Sequence, residues 1–316
     1  MNKALIAIDK SRSFRVYLAI STKMVEDARK LHQTSPLATA GLGRVLTGAG
    51  LMGLQLKNDR DKLTIQFKGD GPAGEILVTA NGGGRVKGYI SNPDVELPLK
   101  EDGKLDVGGA VGIGTLTVIK DLGLKEPYVG KIDLVSGEVG DDLTMYFFLS
   151  EQQSASVALG VRINTDCTTL SAGGMIIQML PDAKPESVEA LEQLLNEMIP
   201  ISSLIEETVE QSAGKTEEAI LDSLLERIFK PLPEEFAVER LEYREINWDC
   251  DCSVKRLEQV VISIGSKDLN EIIEEDEKAE LICQFCGTKY QFDKEHLKLL
   301  LKESMQREGI SDVEGI

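Results

Sequence analysis

The first 180 residues are dominated by short runs in which apolar and polar positions partly alternate. Residues 3–8 and 13–20 form two such runs joined by four polar residues, which predicts a β-hairpin. Turns of hairpin length separate most of the later runs, and this favours antiparallel pairing over alternating βαβ units. The further strands are predicted at 62–68, 75–80, 85–91, 114–120, 131–136, 143–149, 155–163 and 175–180.

Two helices are predicted within the same part of the chain. Apolar residues recur at helical spacing over 24–31. Ser35 followed by Pro36 is typical of an N-cap and the first helical position, and predicts the start of a second helix. Five glycines between residues 41 and 53 lower the helix propensity of this segment. We therefore expect the backbone of the second helix to pack closely against its neighbours.

The hydrophobic period changes after residue 185. Apolar residues then recur every three or four positions, which predicts three short helices over 186–230. Ser203 and Glu206 have the spacing of a capping box, and Thr216 is suited to cap the third helix. The Pro-Leu-Pro sequence that begins at Pro231 should end that helix and mark a boundary.

Charge and glycine content change near the same place. Residues 1–180 carry 20 basic and 20 acidic side chains, whereas residues 181–316 carry 15 and 33, so the second part supplies the whole net charge of −18. Of the 29 glycines, 24 precede residue 181. For a chain of 316 residues we predict an α+β fold in three parts: a largely antiparallel domain at 1–182, a helical linker at 183–232 and a small C-terminal module at 233–316.

The net charge also restricts the partners and the compartment. A field of this sign repels phosphate backbones and anionic lipids, so we expect neither nucleic acid nor a membrane surface as a partner. The apolar runs at the amino terminus are too short for the core of a signal peptide. We expect a cytoplasmic protein, in which clustered cysteines serve as metal ligands or redox groups rather than structural disulfides.

Four of the five cysteines form two closely spaced pairs. Cys250 and Cys252 are one residue apart, and after thirty residues Cys283 and Cys286 follow, with Gly287 next. Four thiolates satisfy a tetrahedral zinc ion, and a glycine suits the positive φ angle of a Cys-x-x-Cys-Gly turn. In an extended strand Cys250 and Cys252 would point to opposite faces, so the chain must turn between them. These four residues are the predicted zinc ligands.

The module around them is small. Tyr290 and Phe292 alternate as in a strand, and Asp293 can cap a helix whose apolar residues could face the metal site: Leu297, Leu300 and Met305. A zinc ion would supply much of the folding free energy, about 10 to 16 kcal/mol at neutral pH. From the residues alone, two roles remain open for zinc. It is either purely structural, or part of a switch in which an oxidant converts thiolates to easily reduced disulfides and removes ligands.

Other chemically suggestive residues are better explained by structure. We expect Cys167 to be a small buried apolar residue and His296 to lie on a solvated helix face, because four thiolates already fill the metal shell. Gly214-Lys215-Thr216 imitates a phosphate-binding loop without its first glycine, so a helix cap is expected. The acidic run at 271–277 is predicted to be a solvated loop. With two histidines in the chain, no catalytic triad can be assembled, and we predict no enzyme.

The cysteine spacing resembles that of the redox-regulated chaperones called heat-shock protein thirty-three. Cys-x-Cys, a long gap and Cys-x-x-Cys match the signature of that family, and Ser253 and Arg256 fall within its Cys-x-Cys-Ser-x-x-Arg context. The similarity extends over nearly the whole chain through the segments at 40–44 (AGLGR), 69–74 (GDGPAG), 116–128 (LTVIKDLGLKEPY), 134–138 (LVSGE), Tyr146 with 150–152 (SEQ), and 172–181 (AGGMIIQMLP).

This resemblance implies a function and a mechanism. Members of that family are ATP-independent holdases that are inactive when reduced and zinc-bound in the cytoplasm. Oxidation would pair Cys250 with Cys252 and Cys283 with Cys286, expel zinc, and unfold the module and the linker. The oxidised family members form homodimers and hold unfolding client proteins. Asp249 departs from the family, because many relatives have a basic or small residue before the first cysteine.

Two other functions compete with this interpretation. A zinc-ribbon nucleic-acid-binding protein would use the same four cysteines, but residues 231–316 carry a net charge of −10, which opposes it. A thiol-disulfide oxidoreductase would use Cys283 and Cys286, but no βαβ pattern surrounds them.

Overall fold

The structure, a computed structural model, describes residues 1–309. The chain divides into two units, Met1–Asp249 and Cys250–Ile316. Strands and helices are mixed in both units, and all strand pairs but one are antiparallel among the described residues. The predicted α+β fold class with a largely antiparallel first domain is confirmed.

The first sheet of the first unit has five antiparallel strands. The polar residues between its first two strands form a tight turn, in which the Asp9 carboxylate accepts hydrogen bonds from the backbone N–H groups of Ser11 and Phe14 at 3.0 and 2.8 Å. The predicted hairpin is therefore confirmed. In spatial order the strands are β10 (Val238–Glu245), β1 (Lys3–Asp9), β2 (Phe14–Ile20), β9 (Thr169–Met179) and β8 (Ala155–Ile163).

The second sheet has six strands. At one end of the sheet, a two-residue strand pairs in parallel with its neighbour. At the other end, a six-residue strand pairs antiparallel with its neighbour. The predicted strands in this part of the chain are confirmed with small shifts of their ends. In spatial order they are β11 (Asn247–Trp248), β5 (Arg85–Ile90), β4 (Glu75–Asn81), β3 (Lys62–Gly69), β6 (Gly114–Asp121) and β7 (Tyr128–Asp133).

The glycine-rich helix α2 (Pro36–Gly53) contacts strands of both sheets, and 16 of its 18 residues are buried. The hydroxyl of Ser35 caps it by accepting from the backbone N–H of Ala38, as predicted. A Cβ at Gly48 would lie 2.8 Å from Leu143 Cδ1, so a larger residue there would displace the neighbouring helix. The other helices beside it are α1 (Thr22–His32), α3 (Val107–Val111) and α4 (Val139–Leu149).

The strand predicted at 143–149 is wrong, because these residues form the second half of α4. The run is continuously apolar, and periodicity cannot distinguish a buried strand from a buried helix in such a segment. Two acidic residues in the first turn favour a helix start. One of them, Asp142, is fully buried and accepts hydrogen bonds from the backbone N–H groups of Val135 and Ser136.

Three helices cover one face of the five-stranded sheet, in agreement with the three helices predicted over 186–230. They are α5 (Pro185–Glu197), α6 (Ile201–Gln211) and α7 (Glu217–Phe229). Thr216 caps α7 as predicted, whereas the capping box at Ser203 is wrong, because α6 already begins after Pro200. Strands and helices share one apolar core, which includes Leu5, Phe14, Val16, Leu18, Met175, Leu194, Leu204, Ile205, Leu221 and Leu224.

Residues 233–249 belong to the first unit, although the predicted C-terminal module begins at 233. The strand β10 pairs with β1 along its whole length, Ile246 is fully buried, and β11 pairs with β5. Arg240 and Tyr243 also bond to Asp222 on α7, at 3.0 and 2.6 Å. The sequence did not indicate this because β10 is an exposed edge strand with five charged residues.

The second unit has its own small core. Helices α8 (Val254–Ser263), α9 (Ser266–Glu275) and α10 (Lys294–Glu308) surround a hairpin of β12 (Lys278–Ile282) and β13 (Lys289–Asp293). Asp293 caps α10 as predicted. The loop predicted at 271–277 is wrong in its first part, because α9 buries its apolar side and exposes its acidic one. The core contains Val261, Ile262, Leu269, Ile273, Phe292, Leu297, Leu300 and Leu301.

The linker packing leads to a prediction about stability. Leu224 on α7 is fully buried in the core shared with the sheet, whereas Val209 on α6 is 37% exposed. We expect Leu224→Ala to lower the free energy of unfolding of the first unit by about 2–5 kcal/mol, because it removes buried methyl groups and leaves a cavity. Val209→Ala should cost far less. Urea denaturation of the reduced protein measures both, and equal effects would contradict the packing of α7.

Candidate metal centre

The sulfur atoms of Cys250, Cys252, Cys283 and Cys286 lie within 4.8 Å of one another. Two close contacts join cysteines of different pairs: Cys252 Sγ is 3.2 Å from Cys286 Sγ, and Cys250 Sγ is 3.7 Å from Cys283 Sγ. All four side chains are partly buried and none forms a disulfide. The arrangement could hold one metal ion.

The first pair lies on an irregular segment between β11 and α8. No strand or helix is assigned from Asp249 to Ser253, which allows both sulfurs to face the same centre. The Ser253 hydroxyl caps α8 by accepting from the backbone N–H of Arg256, and the Arg256 guanidinium binds the Asp251 carboxylate at 2.7 Å. These contacts hold the residue between the cysteines, and they give Ser253 and Arg256 a structural role.

The second pair lies in the turn of the β12–β13 hairpin. The backbone N–H of Cys283 donates to the Thr288 carbonyl at 3.0 Å, and the N–H of Gly287 donates back to the Cys283 carbonyl at 2.7 Å. Gly287 has the predicted positive φ angle, 66°. The hairpin thus brings Cys283 and Cys286 to one side of a closed turn.

Two hydroxyl groups contact the sulfur cluster. Tyr290 Oη donates a hydrogen bond to Cys252 Sγ at 3.1 Å, and the Cys286 thiol donates one to Thr288 Oγ1 at 3.2 Å. The sequence analysis did not identify either residue as part of the site. The two-residue spacing along a strand that follows the Cys-x-x-Cys turn is the signal that could have indicated them.

Metal binding requires thiolates, and the surroundings of the four sulfurs affect that charge in different ways. Burial raises the pKa of the Cys250 and Cys252 thiols. Burial alone would raise the pKa of Cys286, but hydrogen bonds with the Thr288 side chain and backbone and with two neighbouring cysteines lower it to about 7. The hydrogen bond to Cys252 raises the pKa of Tyr290 to about 12. Four thiolates so close together need a positive ion between them, since buried unpaired charges are costly.

The remaining candidates lie outside this cluster. Cys167 is exposed in the turn between β8 and β9, with a φ angle of 66°, so the expected burial is wrong. Residues 164–167 of this turn are all exposed, and the three before Cys167 are polar. The apolar strands on either side therefore do not bury Cys167. His296 lies on α10 as expected, and its Nε2 is 2.9 Å from a Glu258 carboxylate oxygen.

The fold and the site define an antiparallel α+β protein that carries a separate four-cysteine module. The family model described as Hsp33 protein matches residues 2–293. The 33 kDa chaperonin of Alkaliphilus oremlandii is 46% identical over 298 residues, which cover 94% of this chain and 95% of the relative. That of Lachnoclostridium phytofermentans is 45% identical over 305 residues, covering 96% and 100%.

A solved structure agrees with these sequences. The crystal structure of the 33 kDa chaperonin, a heat shock protein 33 homolog, from Thermotoga maritima matches with a TM-score of 0.81 and 33% identity, over 96% of this chain and 99% of that one. The chain belongs to the Hsp33 family and is a chaperone of that family. The predicted resemblance is confirmed. Chaperones of this kind bind unfolded client proteins.

The comparisons give no support to a zinc-ribbon nucleic-acid-binding protein or to an oxidoreductase. In the part of the chain that the structure describes, no helix has the length and apolarity needed to cross a membrane.

The geometry predicts the metal content. We expect about one zinc ion per reduced chain, held by four sulfur atoms, because the two pairs form a closed shell. Cys250→Ser and Cys286→Ser should lower the bound zinc strongly, whereas the exposed Cys167→Ser should leave it unchanged. Metal analysis and X-ray absorption spectroscopy measure this, and nitrogen or oxygen in the first shell of the wild type would contradict the assignment.

Proposed function

We propose that this protein is a redox-regulated, ATP-independent holdase, with Cys250, Cys252, Cys283 and Cys286 as its zinc ligands and redox switch. The observation that carries the proposal is the approach of four sulfurs to within 4.8 Å of one another, in a unit separate from the large domain. In this proposal the reduced, zinc-bound form is inactive. Oxidation of the four thiolates activates it.

Zinc fits the donor set better than other common ions. Four sulfurs at a Zn–S distance of about 2.3 Å would lie about 3.8 Å apart in a tetrahedron. The Sγ–Sγ distances of 3.2 and 3.7 Å, and the 4.8 Å limit on the others, bracket that value. Hard cations such as calcium and magnesium prefer oxygen. When bound, zinc would keep the sulfurs as thiolates and join the two ends of the module.

Oxidation would produce two disulfides, Cys250–Cys252 and Cys283–Cys286. In the reduced structure, close sulfur contacts of 3.2 and 3.7 Å join cysteines of different pairs. Pairing within each motif is nevertheless favoured once the module loosens, because residues close in sequence remain close in an unfolded chain while distant ones separate. Each disulfide removes two ligands, so the metal would be released and could not return until reduction.

The linker is connected to the module through a short segment of the first unit. After α7, the chain forms β10, which bonds to Asp222 on α7, and then β11 on the edge of the second sheet. Only Asp249 separates β11 from Cys250, and its carboxylate lies 3.3 Å from the Arg85 guanidinium. We infer that unfolding of the module frees this segment and weakens the hold on α7.

Release of α5–α7 would provide the client surface. Isolated helices of this length are marginally stable in water, so the linker should unfold when its support is weakened. The sheet face with Leu5, Phe14 and Leu18 and the apolar stripes of the helices would then be open to unfolding proteins. The net charge of −18 would keep the loaded complex soluble.

We further propose that the protein is cytoplasmic, catalyses no reaction, does not bind nucleic acid or membranes, and dimerises when oxidised.

The proposal predicts where oxidation changes the structure. After treatment with peroxide and mild heat, amide hydrogen exchange should rise across 186–308, while the strands in 1–180 stay protected. Zinc should be released in parallel, and the oxidised protein should suppress aggregation of a thermally unfolding client and sediment as a dimer. The reduced protein should not suppress aggregation.

The Cys167→Ser variant serves as a control, because it keeps the cluster intact and should respond as the wild type does. Chaperone activity that appears without increased exchange in 186–230 would contradict the coupling. A reduced, zinc-bound protein that already prevents aggregation as well as the oxidised one would contradict the switch.

A further inference from the structure

The two hydroxyl groups at the sulfur cluster come from one face of one chain segment. Thr288 precedes β13, and Tyr290 and Phe292 follow at two-residue intervals, so all three are expected on the same side. Phe292 is 1% exposed and anchors this side in the core of the second unit. The Tyr290 ring is also packed against that core, which fixes the direction of its hydroxyl.

The hydroxyls are distributed unequally over the cysteines. One reaches Cys252 and the other Cys286, at 3.1 and 3.2 Å, so each sequence pair has one sulfur with a hydroxyl partner. Within residues 1–309, no side-chain hydroxyl is bonded to Cys250 or Cys283, and these two sulfurs lie 3.7 Å from each other. The cluster is therefore divided into two kinds of sulfur, with one of each kind in every pair.

The Cys286 thiol donates to Thr288 Oγ1, but a thiolate has no proton to donate, so on ionisation Cys286 can only accept from that hydroxyl, as Cys252 accepts from Tyr290. A thiolate that accepts an O–H hydrogen bond is a weaker nucleophile, because the bond stabilises the electron pair that must attack. We propose that Tyr290 and Thr288 are positioning residues that assign the order of oxidation: peroxide reacts first at Cys250 and Cys283, and Cys252 and Cys286 then complete the disulfides. This inference rests on the proposed redox switch and adds a role for each cysteine.

The chemistry balances with hydrogen peroxide as the oxidant. The thiolate of Cys250 or Cys283, which has no hydroxyl partner, attacks one peroxide oxygen, an S–O bond forms, the O–O bond breaks, and hydroxide leaves. The neighbouring thiolate, Cys252 or Cys286, then attacks the sulfenic sulfur, an S–S bond forms, and a second hydroxide leaves. Each pair loses two electrons, and one peroxide is reduced to two hydroxide ions.

Sulfenic acid trapping tests the assignment directly. Zinc-loaded protein is exposed to less than one equivalent of hydrogen peroxide in the presence of dimedone, and the labelled cysteines are quantified by mass spectrometry. In the wild type we expect several times more label on Cys250 and Cys283 than on Cys252 and Cys286. Equal labelling, or labelling that favours Cys252 and Cys286, would overturn the inference.

Two variants make the test specific, because each removes one hydroxyl and keeps the shape of the side chain. Tyr290→Phe should raise the label on Cys252 several-fold and leave that on Cys286 unchanged, whereas Thr288→Val should do the reverse. Ser263→Ala, which removes a hydroxyl bonded to the Val260 carbonyl in the same unit, should change neither. An identical labelling pattern in all four proteins would overturn the inference.

Metal affinity provides a readout that is independent of oxidation. Loss of a hydrogen bond to a metal ligand commonly weakens binding, and we expect Tyr290→Phe to raise the zinc dissociation constant by about tenfold in chelator competition. An unchanged constant would contradict a hydrogen bond to the bound thiolate. Failure of the proposed function would look different: the wild type would then bind no zinc, or retain it under excess peroxide.

Discussion

The five-stranded sheet of the first unit is apolar on both faces, and the rest of the architecture depends on how those faces are covered. One face packs against α2 together with the second sheet. The other carries Leu5, Phe14 and Leu18 and is covered mainly by the linker helices, with Phe236 beside them. An exposed apolar surface of this kind binds other chains. The contact that completes the reduced fold therefore occupies the surface that the proposed function offers to clients.

In the proposed mechanism, the second unit depends on its metal because its apolar core is small. Among the residues up to 309, its core has eight buried apolar side chains, and the loss of any one large side chain in a core costs about 2–5 kcal/mol. A structural zinc ion contributes about 10 to 16 kcal/mol at neutral pH. A unit of this size cannot compensate for that loss with its remaining contacts. In the proposed mechanism, local sulfur chemistry is thus sufficient to unfold a whole module, with no external energy source.

Features that depend on neighbouring residues in the chain could be predicted from the sequence. Features that depend on contacts between distant residues could not. The β1–β2 hairpin, the Ser35 and Thr216 caps and the cysteine cluster follow from turn residues, capping chemistry and ligand spacing. The helix α4 was missed because an unbroken apolar run has no diagnostic period. The strand β10 was missed because its pairing with β1 joins residues more than 200 positions apart. Cys167 was misplaced because residue type alone says little about a turn.

The position of the hydroxyl groups suggests how one site can hold zinc firmly and still react with peroxide. Hydrogen bonds to thiolates strengthen metal binding and lower nucleophilicity together. A cluster with such bonds on every sulfur would be stable but slow to oxidise, and one with none would react quickly but bind zinc weakly. Here Cys252 and Cys286 have hydroxyl partners. If Cys250 and Cys283 remain the reactive sulfurs, each pair combines one sulfur that retains the metal with one that senses the oxidant.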